Sequence, residues 1–317
     1  MENSMLFTIV IPFHNREKYL SDTLHSVLGQ TYRPLRLVLV DNNSTDNSQA
    51  VCRAFIEKHS APDFEITLTS EPQPGASAAR NRGLGLVRTP YVYFFDSDDC
   101  MSADFLSDAA ALLQSNTKQT AEKTDIIAST TRILYPGGKL RTRTPRPALS
   151  PTTQILTGML STQSMIIRTE FLREAGGWRT DLKRWNDWEL GLRLLLRQPG
   201  MITLTHKAYH AILAHPDSIT GKDFKSNTDD LLYAIRAVET QVSGHPALCD
   251  AVAARRLILS GHLHHEGATE AANRIRREVM KQHPDLKWKF FAAWCRFPRR
   301  AAWKVYQILF KGSCQSR

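Results

Sequence analysis

The sequence predicts an α/β fold: a mixed, mainly parallel sheet flanked by helices, followed by a C-terminal helical extension. Three observations carry this. Short apolar, β-branched runs alternate with amphipathic helical patterns up to about residue 222, the alternation of a parallel sheet with right-handed crossovers. Several of these runs stop at carboxylates. From Asn227 onward strand patterns give way to helical ones. The expected divisions are 1–222 for the α/β part, 223–284 for the helical extension, and 285–317 for a basic, aromatic tail.

Phe7-Thr-Ile-Val-Ile-Pro12 reads as the first strand, ended by Pro12. Tyr19, Leu20, Leu24, Val27 and Leu28 then recur at helical spacing. Leu35-Arg-Leu-Val-Leu-Val40 is the second strand and runs into Asp41-Asn-Asn-Ser-Thr-Asp46. Ser44 or Thr45 is expected to cap the next helix. Glu65–Thr69 is a third strand, and the small residues of Pro74-Gly-Ala-Ser-Ala-Ala-Arg-Asn-Arg-Gly83 suit a helix packed closely on the sheet. Ala103–Leu113 is a helix and Asp125–Thr130 a strand; Thr131–Leu149, with Pro136-Gly-Gly138, reads as a hairpin or a mobile loop. Ser164–Arg168 is a strand, and Glu170–Gly177 a helix with a glycine cap. A helix opening at Asp187, a strand over 201–205 and a strand ending near His215 complete the α/β part.

The chain is organised around Tyr91-Val-Tyr-Phe-Phe-Asp-Ser-Asp-Asp99, an apolar aromatic run that ends in acids, as a buried central strand does. In open α/β sheets the ligand crevice lies outside the carboxyl ends of the strands, so Asp41 and Asp96 are expected on one rim. If strand geometry persists, Asp96 and Asp98 point the same way. Two hard oxygen ligands suit Mg²⁺ or Mn²⁺, and through it a diphosphate. The plainer reading of Asp-x-Asp is a polar turn. Of Arg80 and Arg82, one is expected to face the crevice, although both also fit a solvated helix surface. Asp187 opens a helix between Trp185 and Trp188. That place suits a capping acid on structural grounds alone, while tryptophan walls would raise its basicity and stack an acceptor sugar. His215, at a strand end, reads as a ligand or, more plainly, as a surface residue.

Composition narrows the class. Of 317 residues, 42% are hydrophobic, which suits a chain with a real core. No apolar run reaches the ~18 residues of a membrane span. The N-terminus, with Glu2, reads as a strand pattern and not as a signal peptide, so a cytoplasmic location is expected. Five scattered cysteines show no Cys-x-x-Cys spacing, hence no zinc site or disulfide framework. The formal charge is +10, and it is uneven: Lys287–Arg317 holds eight Lys and Arg and no Asp or Glu. In the same stretch Phe290, Trp294 and Phe297 share a helical face, and Pro298 divides it into two short helices. Aromatics on one side and cations on the other form the pattern of an interfacial membrane helix. The alternative is a packed helix that uses its aromatics as core. No nucleic-acid recognition motif is present, and no nucleic-acid partner is expected.

Five segments now stand together: Ile9-Val-Ile-Pro-Phe-His-Asn-Arg-Glu-Lys-Tyr-Leu20, Val40-Asp-Asn-Asn-Ser-Thr-Asp46, Gly75-Ala-Ser-Ala-Ala-Arg-Asn-Arg-Gly83, Phe95-Asp-Ser-Asp-Asp99 and Asn186-Asp-Trp-Glu-Leu190. In this order, over residues 5 to 220, they resemble the family 2 glycosyltransferases of the GT-A fold, a Rossmann-like mixed sheet. The resemblance implies an inverting enzyme that uses a nucleotide sugar, usually a UDP-sugar, and Mn²⁺ or Mg²⁺. It implies that Pro12 and Asn15 line the nucleotide pocket and that Asp41 binds the base. Arg80, Asp96 and Ser97 would contact the nucleotide, Asp98 and His215 the metal, and Asp187 would be the catalytic base. The acceptor implied is a glycan or lipid-linked saccharide in surface polysaccharide or lipopolysaccharide synthesis, met at the inner face of the cytoplasmic membrane through 285–317.

Two departures from the family pattern stand out. Asn42-Asn43 replaces the common Asp-Gly, and Asn186 replaces the common Glu before the catalytic Asp. Two rivals are weaker. A sugar nucleotidyltransferase wants a glycine-rich phosphate loop where this chain has Phe13-His-Asn-Arg16. A non-catalytic nucleotide-sugar-binding protein does not explain the retention of Asp41, Asp96, Asp98 and Asp187.

Overall fold

The structure, a computed structural model, describes residues 5–119, 123–135, 137–213, 224–297 and 302–310. The chain forms two compact units. The first comprises Met1–Leu149, Met159–Asp181 and Leu194–Ser218; the second comprises Ser150–Gly158, Leu182–Arg193 and Ile219–Arg317. The sequence boundary near 222 falls outside the described residues.

The first unit is built on a seven-stranded sheet. Its strands in chain order are β1 (Phe7–Phe13), β2 (Leu35–Asp41), β3 (Phe64–Ser70), β4 (Tyr91–Phe94), β6 (Ile126–Ser129), β9 (Met165–Arg168) and β10 (Met201–Leu204). The spatial order is β10-β6-β9-β4-β1-β2-β3. Only β9 runs antiparallel, to β4 and to β6. The sheet is therefore mixed and mainly parallel, as the sequence predicts. Strands covered on both faces read as continuous apolar runs, and all seven residues of β1 are buried. Helices α1 (Leu20–Leu28), α2 (Ser48–His59), α3 (Ala76–Leu86), α4 (Phe105–Gln119) and α6 (Thr169–Glu174) belong to this unit. The small residues of α3 do what their size suggests: a Cβ on Gly83 would clash with the Val10 side chain of β1.

A smaller sheet joins β5 (Cys100–Met101), β11 (His210–Leu213), β7 (Thr131–Leu134) and β8 (Leu140–Arg143), in that order. The segment read as a hairpin or mobile loop is the β7–β8 hairpin. Two local readings need correction. Helix α2 starts at Ser48 behind Asn47, which makes no side-chain cap, because Ser44 is held in the turn after β2. The strand β4 ends at Phe94, and Asp99 N bonds to Asp96 O at 3.4 Å. Asp96 and Asp98 therefore lie in a turn and not in an extended strand.

The second unit is helical. It contains α5 (Pro151–Thr157), α7 (Asn186–Leu195, to Arg193), α8 (Thr228–Val242), α9 (Pro246–His265), α10 (Thr269–Gln282), α11 (Leu286–Trp294) and α12 (Ala302–Phe310). Helix α9 is buried along most of its length and touches α5, α8, α10 and α11. A Cβ on Gly261 of α9 would strike the Cys295 carbonyl, so glycine lets the chain after α11 approach. The tail aromatics divide. Trp288, Phe291 and Tyr306 are buried, and Trp288 and Tyr306 lie 4.8 and 4.7 Å from the Phe310 ring. Leu286, Phe290 and Phe297 stay exposed. Among the described residues no helix is long and apolar enough to cross a membrane.

Candidate active site

The carboxyl ends of β1, β2 and β4 form one rim of the first unit. Phe13 pairs with Asp41 across β1 and β2, and Val10 pairs with Phe94 across β1 and β4. Pro12 and Asp41 thus sit on adjacent strand ends, and Asp96, Ser97 and Asp98 follow β4 directly.

Asp41 is 2% exposed, and its carboxylate is partly committed. Oδ1 accepts from Ser44 N at 3.2 Å, and Oδ2 accepts from Gln49 Nε2 at 2.8 Å. The turn beyond it explains the Asn-Asn departure. The Asn42 amide donates to the carbonyls of Glu71 and Gln73 at 2.7 and 2.8 Å and accepts from Gly75 N at 2.7 Å. An aspartate has no N–H for those two carbonyls. Asn43 has φ +62°, a left-handed conformation that asparagine tolerates where glycine is otherwise preferred. Asn15 also has positive φ, +50°, and its Oδ1 accepts from Thr45 N at 2.8 Å. Asn15 therefore ties the first rim loop to the second.

Arg80 is the arginine that faces the rim; the Arg82 guanidinium donates to Thr69 instead. Arg80 is 5% exposed, and its Nη2 meets Asp96 Oδ1 at 2.8 Å. Its guanidinium lies 4.5 Å over the Trp178 ring. Arg80 Nε, Arg80 Nη1 and Trp178 Nε1 are buried and lack a partner among the described residues. Buried donors of this kind are rare and expensive to leave unmade. Trp178 is held by Asn81, whose Nδ2 donates to Trp178 O at 2.7 Å and whose Oδ1 accepts from Trp178 N at 2.8 Å.

The second oxygen of Asp96 accepts from Gln163 Nε2 at 2.5 Å, and the same nitrogen meets Asp99 Oδ2 at 2.7 Å. Asp99 Oδ1 accepts from Leu213 N at 3.0 Å. Burial, and then the nearby charges of Asp96 and Asp98, hold the Asp99 carboxyl well above the usual range; the Leu213 N–H and Gln163 pull the other way without cancelling this. Asp98 lies 3.5 Å from Arg16 Nε. Ser97 is buried between the two acids.

Does this corner fit a divalent cation? Among the described residues no group of three or more His, Cys, Asp or Glu is arranged to hold one, and His215 lies outside the described residues. The donors present are carboxylate oxygens, the hard type that Mg²⁺ and Mn²⁺ take. Ions of this kind are commonly held by one or two carboxylates, with substrate phosphates completing the shell. Asp98 is of that donor type, with Asp96 beside it, and each already meets an arginine, Arg16 and Arg80 respectively.

Asp187 belongs to the helical unit. It stands in the first turn of α7, half-buried, and its Oδ1 accepts from Trp188 N at 2.8 Å. Trp185, two residues earlier, has φ +53°, a strained backbone for a bulky side chain and one often kept at functional positions. Arg255 lies 4.2 Å over its ring. Trp188 is buried and donates from Nε1 to Ile155 O at 2.9 Å. Glu189 is fully buried and paired with Arg193 at 2.8 Å.

Gln163, Asn81, Trp178, Asp99 and Glu189 carry no assigned role in the sequence reading. The Asn81 signal was present, as part of the Arg-Asn-x-Gly run. Gln163 had none, since it reaches the acids from a turn before β9, 67 positions along the chain from Asp96.

Comparisons with known proteins bear on the family and the fold. Residues 8–176 match the family described as Glycosyl transferase family 2. Over 99 residues the chain is 38% identical to Glycosyltransferase GlyA of Streptococcus pneumoniae, covering 31% of this chain and 14% of that protein. Over 102 residues it is 34% identical to the putative teichuronic acid biosynthesis glycosyltransferase TuaG of Bacillus subtilis, covering 32% and 39%. The chain thus spans well under two thirds of these relatives. The structure of S. aureus TarS 1-349 in complex with UDP-GlcNAc superposes with a TM-score of 0.63 at 18% identity, over 97% of this chain and 91% of that one. At that identity the likeness is one of fold, and it is the GT-A class that the sequence predicts. With the family match covering more than half of its length, the chain belongs to glycosyl transferase family 2.

Proposed function

We propose that this chain is an inverting glycosyltransferase that moves a hexosyl or N-acetylhexosaminyl group from a UDP-sugar to a hydroxyl of a glycan or lipid-linked acceptor. The observation that carries the reading is the rim itself, where a buried Asp41 and the Arg80–Asp96 pair, with its partnerless donors, stand at adjacent strand ends. Asp41 is the acceptor for the base, with Pro12 and Asn15 beside it. The two remaining Arg80 donors suit diphosphate oxygens, next to Asp96 and Ser97. Asp98, with His215 as a second ligand, would hold a divalent cation, which would neutralise charge on the diphosphate. Asp187 takes the proton of the acceptor hydroxyl. The hydroxyl oxygen bonds to the anomeric carbon, the bond from that carbon to the diphosphate oxygen breaks, and UDP leaves with the electron pair. Displacement in one step inverts the anomeric configuration.

The names of TuaG, and of TarS with UDP-GlcNAc, support surface-polysaccharide synthesis and a UDP donor. Such an acceptor places the enzyme at the cytoplasmic face of the membrane, which the basic tail 285–317 would contact.

A donor screen tests this. The protein with Mn²⁺ is incubated with a panel of nucleotide sugars, and released nucleoside diphosphate is read against Asp187→Asn. Slow hydrolysis of one UDP-sugar, absent from the variant while UDP still binds, is expected. Failure of the wild type to bind any nucleotide overturns the proposal, and a product of retained configuration overturns the inverting step.

A further inference from the structure

The proposed membrane contact has no site attached to it, and the helical unit offers one. Helices α10 and α11 meet at Pro284 and border an open cavity of about 240 Å³ lined by Arg276, Met280, Pro284, Lys289 and Ala292. At about 30 Å³ per water molecule, that is room for a phosphate group with part of its glycerol. The polar lining is cationic. Arg276 projects from α10 and Lys289 from α11, and neither is paired with a carboxylate among the described residues. Arg296 is close enough to affect Arg276: burial first, and then the Arg296 charge, lower the Arg276 pKa. Asp285 sits at the N-terminus of α11, but its carboxylate caps Trp288 N at 3.2 Å. Glu278, on α10, pairs with Arg256.

The apolar surroundings select the source of the phosphate. Leu286 is 81% exposed, Phe290 52% and Phe297 55%. Leu286 and Phe290 are one turn apart on α11, and Phe297 lies just past its end. The aromatics that could have withdrawn did so: Trp288 and Phe291 are buried with Tyr306. The exposed side chains are thus not a shortage of core. Leu286 and Phe290 share α11 with Lys289, and the sequence holds no acid from Lys287 onward. A soluble anion would need the cations alone. Cations together with exposed apolar side chains complement an anionic bilayer, where apolar groups enter the acyl boundary and basic groups meet headgroups.

We infer that the Arg276–Lys289 cavity is a phosphate subsite for the headgroup of an anionic phospholipid, with Leu286, Phe290 and Phe297 inserted into the same membrane. This rests on the membrane contact proposed above and deepens it by naming the residues and the lipid chemistry.

The test uses the full chain in flotation assays with vesicles of phosphatidylcholine alone, and of phosphatidylcholine and phosphatidylglycerol in equal parts. Wild type is expected to float with the anionic vesicles only. Arg276→Ala and Lys289→Ala should each weaken partitioning about five-fold, and Phe290→Ser about ten-fold. Arg276→Lys should retain most of it. All three positions lie outside the proposed catalytic machinery, and thermal melts report that the four variants fold. If wild type floats but both alanine variants float equally well, the cavity assignment is overturned while membrane contact stands. If wild type floats with neither vesicle, membrane contact itself fails. Equal flotation with both vesicles removes the role of charge. Saturation by glycerol phosphate without flotation, or loss of self-association in Phe290→Ser without loss of flotation, each overturns the assignment in favour of a soluble anion or a second copy. UDP-sugar hydrolysis on the same samples reports the glycosyltransferase reading independently.

Discussion

Gln163 Nε2 lies 2.7 Å from Asp99 Oδ2, and the same nitrogen reaches Asp96 Oδ2. One neutral amide therefore separates two carboxylates in a corner that already contains a third, Asp98. Gln163→Glu preserves shape, removes the donors and adds an acceptor. Hydrogen bonds to charged groups are worth about 1.5–3 kcal/mol, so kcat/KM for the donor sugar should fall roughly ten- to a hundred-fold. The check is a titration of activity against Mn²⁺ alongside a thermal melt. A role in positioning the acids predicts an altered Mn²⁺ requirement in protein that still folds. A lower Tm with unchanged Mn²⁺ dependence would mean that Gln163 serves stability alone.

Asn81 acts at one remove. Its amide makes two bonds to the Trp178 backbone, and Trp178 covers the guanidinium that pairs with Asp96. Gly177, at φ +64°, sits so close that a Cβ would lie 2.8 Å from Asn81 Oδ1. Asn81→Ala should release this turn, destabilising the fold by about 1–3 kcal/mol, and should weaken UDP binding through Arg80. Trp178→Leu keeps the turn and removes only the ring. It should leave stability nearer wild type and lose the cation–π share of UDP affinity, about 0.5–2 kcal/mol. Calorimetric binding of UDP to both variants separates the two effects; equal affinity in all three proteins would detach Trp178 from the site.

How far the site was legible follows from the same residues. Strand ends were readable because a parallel sheet buries both faces of its strands, so Tyr91–Phe95 and Leu35–Val40 stand out and the acids behind them mark the rim. Arg80 was readable only as one of two candidates. The choice between Arg80 and Arg82 depends on which side of α3 meets the sheet, which Gly83 decides by packing on Val10. Gln163 and Trp178 were not readable, since both enter from segments far along the chain that local periodicity does not connect to the acids. The cap at Ser44 or Thr45 failed because Asp41 captures the Ser44 N–H and delays the helix to Ser48. In the tail the aromatic spacing was visible, but which rings turn inward depends on α12, which supplies Tyr306 and Phe310.

Glu189, two residues after Asp187, tests what anchors that helix. It is 0% exposed, and both its oxygens accept from Arg193, at 2.8 and 3.0 Å; Gln241 adds a further donor. Removing one member of a buried pair leaves an uncompensated charge, which destabilises by about 3–5 kcal/mol. Arg193→Met should therefore be severe. The double variant Glu189→Met with Arg193→Met should recover much of the loss, because an apolar pair of similar volume needs no desolvated charge. Urea unfolding of the two variants is the measurement, and equal losses in both would show that the pair is not held by charge.

His210 should make the first unit sensitive to acid. Its ring is 2% exposed, 4.4 Å from Phe105 and 5.7 Å from Tyr93, and neither ring nitrogen has a partner among the described residues. Burial lowers its pKa from 6.5 to about 3. The folded state therefore keeps the ring neutral where the unfolded chain would protonate it. The unfolded state binds the extra proton below 6.5, so stability rises with pH across the window from about 3 to 6.5 and is lost as pH falls through it. The slope from this residue alone is about 1.4 kcal/mol per pH unit. His210→Phe fills the same aromatic niche without a titrating nitrogen. Its stability should lose that slope between pH 6 and pH 4 and match or exceed wild type at the acid end. Urea midpoints at a series of pH values read this directly, and parallel pH profiles for the two proteins would mean that His210 does not set the acid sensitivity.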